Sequence, residues 1–196
     1  MRYRRIILGV LIASFAFVAD ARTEVTITDI GWQLALQVKK KRRAYHDIER
    51  WLFPPSPNVK LRPRAVVSLT NKNPRAESAV LLRYSFSARL RKIGEDEPGI
   101  WTLPFLLEER HIPRIAANTT KEFPLALNRV ALGSYLKRMY RSGHWPDAFR
   151  VRVMVEPRAG EGFKDRFGEK LLSVVWRSNA PGPASGADAG AAGEPE

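Results

Sequence analysis

Side chains that could perform chemistry are few in this chain, and their spacing argues against a catalytic or metal site. The sequence contains three histidines, His46, His111 and His144, and no cysteine. No two histidines have metal-ligand spacing, and the lack of cysteine excludes thiolate ligands, disulfides and a cysteine nucleophile. Neither a Gly-x-Ser-x-Gly elbow nor a glycine-rich phosphate-binding loop occurs. We therefore expect no catalytic residue, no metal and no cofactor.

One pair of residues is an exception to this scarcity. His144 and Asp147 lie in the segment 143–147, between a predicted helix and a predicted strand, and could form an acid/base pair. The other interpretation is a turn in which Trp145 enters the core and Asp147 accepts a hydrogen bond from a backbone amide. We favour the turn, so the sequence predicts a protein that is not an enzyme.

Basic residues form the most suggestive functional pattern. Five consecutive cations occupy 39–43, and Trp51 and Phe53 follow within the proline-containing stretch 39–64. This stretch is too long for a tight hairpin and is predicted to be a loop. Cations beside aromatic rings can bind anionic lipid headgroups or polyanionic glycans. The alternative is a solvated basic surface with both aromatic residues buried beneath the loop. The candidate anion- or partner-binding residues are Lys39, Lys40, Lys41, Arg42, Arg43, Trp51, Phe53, Lys60, Arg62 and Arg64.

The positive charge is concentrated in the middle of the chain. The 196 residues include 33 Lys and Arg against 20 Asp and Glu, a net charge of +13. Residues 22–178 hold 30 of the basic and 16 of the acidic side chains, so this segment alone carries +14. Residues 179–196 contain no large apolar side chain, and we expect them to form a disordered tail.

The N-terminus has the pattern of a targeting signal. Three arginines within residues 1–5 precede a run of 13 apolar and small residues at 6–18, and Ala19 and Ala21 follow. A membrane-spanning helix needs about 20 apolar residues. The pattern predicts a signal peptide over residues 1–21, cleaved near Ala21, and export to the periplasm or the extracellular space. A retained N-terminal anchor is the alternative. Export makes nucleic acid an unexpected partner in spite of the charge.

Alternation of apolar and polar residues predicts strands through most of 22–178. In 78–91 and 149–156 every second residue is apolar, which places one face of each strand on a core. The outward positions of these two strands carry arginines, which would form a basic face if the strands share one sheet: Arg83, Arg89, Arg91, Arg150 and Arg152. Shorter strands are predicted at 25–30, 33–38, 65–70, 105–111, 122–127 and 170–176.

Two local signals complete the fold prediction. Gly31, between the first two predicted segments, suggests a bulge or bend within one long N-terminal strand, and apolar residues at helical spacing predict one helix at 128–141. The expected fold is all-β: an antiparallel immunoglobulin-like β-sandwich of about seven to eight strands with one short helical crossover, formed by residues 22–178.

Part of the chain resembles a known family. An alternating strand at 66–71 ends on Asn71 and is followed by Asn73-Pro74, and a long strand carries Tyr84. Residues 112–125 then combine a proline step, a polar turn and an apolar strand. These features resemble the water-stress, late-embryogenesis-abundant type of immunoglobulin-like or fibronectin-like sandwich. The resemblance implies a fold alone, and no functional residue transfers.

Two functions fit these observations. The first is a noncatalytic exported sandwich that binds a secreted or envelope protein, for example an acidic one, as an interaction or assembly module. The second is an electrostatic binder of anionic lipid or polyanionic glycan through the basic loop. Steep weakening of vesicle binding by salt, together with its loss when residues 39–43 are neutralised, would distinguish the second from the first.

Overall fold

A computed structural model describes residues 25–38, 42–56, 62–157 and 165–176. The predicted signal peptide and C-terminal tail lie outside these residues. The described chain forms ten strands and one helix. In chain order these are β1 (Val25–Val38), β2 (Arg42–Asp47), β3 (Arg50–Leu52), β4 (Arg62–Asn71), β5 (Glu77–Lys92), β6 (Ile100–Trp101), β7 (Leu106–Ile115), β8 (Thr119–Ala126), α1 (Arg129–Arg141), β9 (His144–Val155) and β10 (Phe167–Val175).

The strands are arranged in two sheets, which confirms the predicted all-β sandwich. Sheet A has the order β2-β1-β4-β8 and is antiparallel throughout. Sheet B has the order β3-β10-β9-β5, and both β6 and β7 pair with the remaining edge of β5. The pair β3–β10 is parallel, and the other pairs of sheet B are antiparallel.

The core lies between the sheets and follows the predicted alternation. On β5 the side chains of Leu82, Phe86 and Ala88 are fully buried, and the alternate residues of β9 from Phe149 to Val155 are buried as well. The ring centroids of Trp32 in sheet A and Phe86 in sheet B are 5.7 Å apart. Burial of such large rings supplies most of the hydrophobic free energy that holds the two sheets together.

The N-terminal part of the sandwich confirms one prediction and corrects two. Residues 25–38 form one long strand, as predicted, but its bulge falls at Thr28 and not at Gly31, because the register with β4 shifts between Ile27 and Asp29. Gly31 pairs regularly with Val66. The prediction of a continuous loop at 39–64 is also wrong, since β2 pairs with β1 and β3 pairs with β10 inside this stretch. These strands are too short for their alternation to be recognised without the neighbours they pair with.

Helix α1 is the predicted crossover. The Asn128 side-chain oxygen accepts hydrogen bonds from the amides of Val130 (2.9 Å) and Ala131 (3.3 Å), which caps the helix start. Leu132 and Leu136 are buried against the sheets, so this part of the apolar stripe packs in the core, whereas Val130 is 76% exposed. Among the residues described, no helix has the length and apolar character needed to cross a membrane.

Two contacts fix the direction of one sheet relative to the other. The amide of Ile27 donates to the carbonyl of Asp165 (2.8 Å), and the Trp32 indole donates to the carbonyl of Lys170 (3.3 Å). Strands β1 and β10 therefore run in the same direction. Their C-terminal ends lie at the same end of the sandwich as the end of β5, the starts of β2, β4 and β9, and α1. We call this the helix end.

Candidate anion-binding surface

The acid/base pair considered from the sequence is not formed. Asp147 is the extra residue of a bulge in β9, where the register with β5 shifts between Arg89 and Leu90. Its carboxylate accepts hydrogen bonds from Arg89 Nε (2.7 Å) and from the amide of Gly99 (3.3 Å). The Nδ1 atom of His144 lies 2.8 Å from the carbonyl of Ser142.

The turn predicted for this segment is wrong, because residues 144–147 begin strand β9, but the two contacts expected of it are present. Trp145 is fully buried, and its indole donates to the carbonyl of Phe53 at 2.9 Å. Asp147 accepts from a backbone amide, as that interpretation required. Within the described parts of the chain, no group of three or more His, Asp or Glu side chains is arranged to hold a metal ion.

Trp51 and Phe53 must be corrected as candidate binding residues. Their side chains are only 2% and 5% exposed, and their rings stack with centroids 4.1 Å apart. Strand β3 alternates across sheet B, so that Trp51 faces the core while Arg50 and Leu52 face solvent. Both aromatic rings therefore belong to the core and are not available to a ligand.

The strand-end arginines are brought together by sheet A. Arg42 begins β2 opposite Val38, Arg43 follows it, and Arg62 begins β4 opposite Ala35. Neighbouring strands are about 4.8 Å apart, so these backbone positions lie close together at the helix end. The remaining lysines of the candidate set, which lie outside the described residues, are Lys39, Lys40, Lys41 and Lys60.

Arg64 lies on the outer face of sheet A and is held in a defined position. Its Nε and Nη2 atoms both donate to the side-chain oxygen of Gln33, at 2.8 and 2.6 Å. Its guanidinium carbon is 3.5 Å from the centroid of the Tyr45 ring. Gln33 in turn donates to Asp47 at 2.9 Å. The positive charge of Arg64 thus faces a neutral amide and an aromatic ring. Gln33 hydrogen-bonds both to Arg64 and to the carboxylate of Asp47, and so connects the two.

The outward arginines of β5 and β9 do share one sheet, but they do not form a basic face. Arg91 lies over the Trp176 ring at 4.5 Å, and the other four arginines are matched by four carboxylates. This part of sheet B is therefore close to neutral. The ion pairs join Arg83 to Glu109 (2.7 Å) and Glu156 (2.8 Å), Arg89 to Asp147 (2.7 Å), and both Arg150 (3.9 Å) and Arg152 (2.7 Å) to Glu169.

Helix α1 carries cations that the sequence reasoning did not select. Arg129, Lys137, Arg138 and Arg141 are all exposed, and the helix contains no acidic residue. Within the described residues, none of these four side chains forms an ion pair. Two of them lie in the last turn, where the helix dipole favours positive charge. The absence of acidic residues from 129–141 was visible in the sequence and could have identified this basic surface.

The four helix cations lie at the same end of the sandwich as the backbone positions of Arg42, Arg43, Arg62 and Arg64, and we call this the basic end of the molecule. The cations of α1 are exposed and have no carboxylate partner among the described residues, and such guanidinium and ammonium groups can bind phosphate, sulfate or carboxylate groups.

Comparisons with known proteins add little to this description. No family model matches the chain, and no match was found among curated proteins. Among solved structures, a crystal structure of a protein from Archaeoglobus fulgidus is 11% identical and has a TM-score of 0.33. That similarity covers 76% of this chain and 97% of the other. At this TM-score the likeness carries no argument about function.

Proposed function

We propose that this protein is a noncatalytic binding module that, after export, engages an anionic partner through its basic end. The observation that carries the proposal is the distribution of paired and unpaired cations. Arg83, Arg89 and Arg152 have carboxylate partners within 2.8 Å, whereas the cations of α1 have none among the described residues. A net positive potential is therefore expected at one end of the sandwich.

The physical consequence is a binding reaction that depends on salt. Exposed charges interact over a Debye length, which is about 10 Å at 0.1 M ionic strength. Several cations within that distance act together on a polyanion, and salt screens all of them. Ion-paired arginines contribute less, because a neighbouring carboxylate cancels their field at this range.

The test compares two triple variants with the same change in net charge. Lys137→Gln, Arg138→Gln and Arg141→Gln remove helix cations while keeping good helix formers. The matched control, Lys72→Gln, Arg75→Gln and Arg114→Gln, removes exposed cations at the opposite end of the sandwich. We expect heparin affinity at low salt to fall about tenfold in the helix variant and about twofold in the control. Equal losses in the two variants would overturn the assignment to the basic end.

A protein partner is the second candidate, and a different surface favours it. On the outer face of sheet B the Trp101 ring lies 4.2 Å from the Arg150 guanidinium carbon and 5.8 Å from that of Arg89. Tryptophan and arginine are enriched among residues that dominate protein–protein binding energy. Crosslinking in the native compartment tests this candidate: a protein recovered with the wild type and with the helix variant should be lost in Trp101→Ala.

A further inference from the structure

Exposed apolar side chains share the helix end with the unpaired cations. Ten large hydrophobic residues are exposed in the described parts of the chain, and seven of them lie at this end. Leu103, Ile100 and Val130 are the most accessible of the seven, at 87%, 80% and 76%. The seven residues are Leu52, Ile93, Ile100, Leu103, Val130, Tyr140 and Val175.

Contacts of the neighbouring segments place these side chains around α1. The hydroxyl groups of Thr102 and Tyr135 are 3.2 Å apart, which holds the segment carrying Leu103 against the helix. The amide of Ile93 donates to the carbonyl of Gly143 at 2.8 Å, just after the helix. Leu52 and Val175 are opposite one another at the ends of β3 and β10.

The solvent face of α1 itself combines both kinds of side chain. Val130, Lys137 and Arg141 are separated by seven and four residues and so line up on one face, opposite the buried Leu132 and Leu136. An aliphatic side chain is thus flanked by long cationic ones on a single surface. Lys and Arg can keep their charged groups in water while their methylene stems lie along apolar groups.

We propose that the helix end binds the surface of an anionic phospholipid bilayer. This inference rests on the function proposed above and names its partner. The cations of α1 contact headgroup phosphates, while Val130, Leu103 and neighbouring apolar side chains enter the interfacial region of the bilayer. Apolar area and attraction to anionic lipid together determine such binding.

The form of the surface favours a bilayer over a folded acidic protein. Its apolar side chains come from separate elements at one end of the sandwich, and of the seven only Ile100 lines the cleft that the structure describes at this end. The cleft beside them, of about 340 Å³, is lined by charges of both signs, including Arg91, Lys92, Glu95 and Glu97. A bilayer surface can contact scattered side chains of this kind without requiring a pocket.

The direction of β1 determines where the N-terminal segment leaves the sandwich relative to the proposed bilayer-binding surface. The strand begins at the end opposite the helix and has 14 residues, so its two ends are about 45 Å apart. Docking through the helix end leaves Val25 directed away from the bilayer. The proposal therefore requires the N-terminal segment to be removed, or to lie in a different membrane.

The experiment measures cosedimentation of the exported protein with vesicles of phosphatidylglycerol and phosphatidylcholine, compared with phosphatidylcholine alone. The test variant is Val130→Ser with Leu103→Ser. Its matched control is Leu107→Ser with Phe167→Ser, which removes exposed apolar side chains away from the helix end. We expect the test variant to bind anionic vesicles about tenfold more weakly and the control less than twofold. Unchanged near-ultraviolet circular dichroism verifies the fold of both variants.

Heparin affinity separates this inference from the function on which it rests. The Val130→Ser, Leu103→Ser variant should bind heparin as the wild type does, because its cations are intact. Absence of wild-type binding to anionic vesicles at low salt, with heparin binding retained, would overturn the lipid inference alone. Equal vesicle binding by test and control variants would do the same. Equal heparin affinities of the Lys137, Arg138, Arg141 triple variant and of its matched control would overturn both the proposed function and the lipid inference.

Discussion

The side-chain amide of Asn71 donates a hydrogen bond to the carbonyl of Ala116 at 3.0 Å, which joins the end of β4 to the turn between β7 and β8. The same amide donates to the carbonyls of Arg75 (2.9 Å) and Ile115 (3.3 Å), and its oxygen accepts from the amide of Asn73 (2.9 Å). Asn71 is fully buried. One side chain therefore links the two sheets at the end of the sandwich opposite the helix.

Removal of the Asn71 amide should be strongly destabilising. Asn71→Ala leaves three carbonyl groups without this donor, one of them buried and two partly buried, and we expect the free energy of unfolding to fall by about 2–4 kcal/mol. Urea unfolding gives this value. Thr119→Ala, which removes an exposed hydrogen bond to the same carbonyl of Ala116 (2.8 Å), serves as the control and should cost about 1 kcal/mol or less. Similar losses for the two variants would contradict this role of Asn71.

Replacement of Trp51 tests its assignment to the core. Trp51→Ala should lower the free energy of unfolding by about 3–5 kcal/mol, because the cavity removes contacts with Phe53 and Phe149. The adjacent Leu52 is 68% exposed, and Leu52→Ala should change stability by about 0.5 kcal/mol or less. The comparison by urea unfolding is direct, and a small effect of Trp51→Ala would return this residue to the list of candidate binding groups.

Ionisation of the Tyr84 phenol makes the free energy of unfolding depend on pH in the alkaline range. Burial, followed by the hydrogen bond from its hydroxyl to Glu108, raises the pKa of Tyr84 above its ordinary value of 10.0. The stabilisation that neutral Tyr84 contributes is fully present below pH 10, where this tyrosine is neutral in both the folded and the unfolded state. Above pH 10 the unfolded chain ionises first, so stability falls as pH rises toward the folded-state pKa.

The Tyr84→Phe variant checks this sign. At one pH unit above the unfolded-state pKa, ionisation of Tyr84 should lower the free energy of unfolding of the wild type by about 1 kcal/mol. The Tyr84→Phe variant has no phenol at this position and should not show this loss. The measurement is urea unfolding at neutral pH and near pH 11, with the neutral value correcting for the lost hydrogen bond. Burial also raises the pKa of Tyr135, so some alkaline destabilisation should persist in the variant. Identical pH dependence in wild type and variant would contradict the prediction.

Cleavage of the N-terminal segment is a further expectation. If residues 1–21 are a signal peptide, the exported protein begins at Arg22. Intact-mass spectrometry of protein recovered from the exported fraction measures this directly. Replacement of Ala19 and Ala21 by bulky residues should block cleavage and increase the mass accordingly. Recovery of exported protein that still carries Met1 would favour the alternative of a retained anchor.

The elements that could be predicted are those whose pattern is long and local. Strand β5 has 16 residues, and its alternation is complete enough to identify both its faces. Asn128 and Gly143 mark the limits of α1 by their capping and turn chemistry. Strand β3, by contrast, has three residues, and among the described strands it pairs with β10 alone, at the other end of the chain. No local pattern can reveal a pairing of that kind.

The candidate site was only partly predictable for a similar reason. A run of cations is visible in a sequence, but its net field depends on carboxylates that the fold brings close. Glu169 on β10 lies beside both Arg150 and Arg152 on β9, a relation fixed by the register of the two strands. Trp51 and Phe53 are equally ambiguous, since aromatic residues next to cations occur both at binding surfaces and in cores.

Glu169 provides the last prediction, because it neutralises two arginines at once. Glu169→Gln should leave Arg150 and Arg152 without a carboxylate partner and create a second basic surface on sheet B. Stability should change by about 1 kcal/mol or less, since the ion pairs are partly exposed. Heparin affinity at low salt should rise by about two- to fivefold. Glu122→Gln makes the same change in net charge on exposed β8 and is the control. An equal rise in both variants would show that overall charge, and not the pairing of these arginines, governs anion binding.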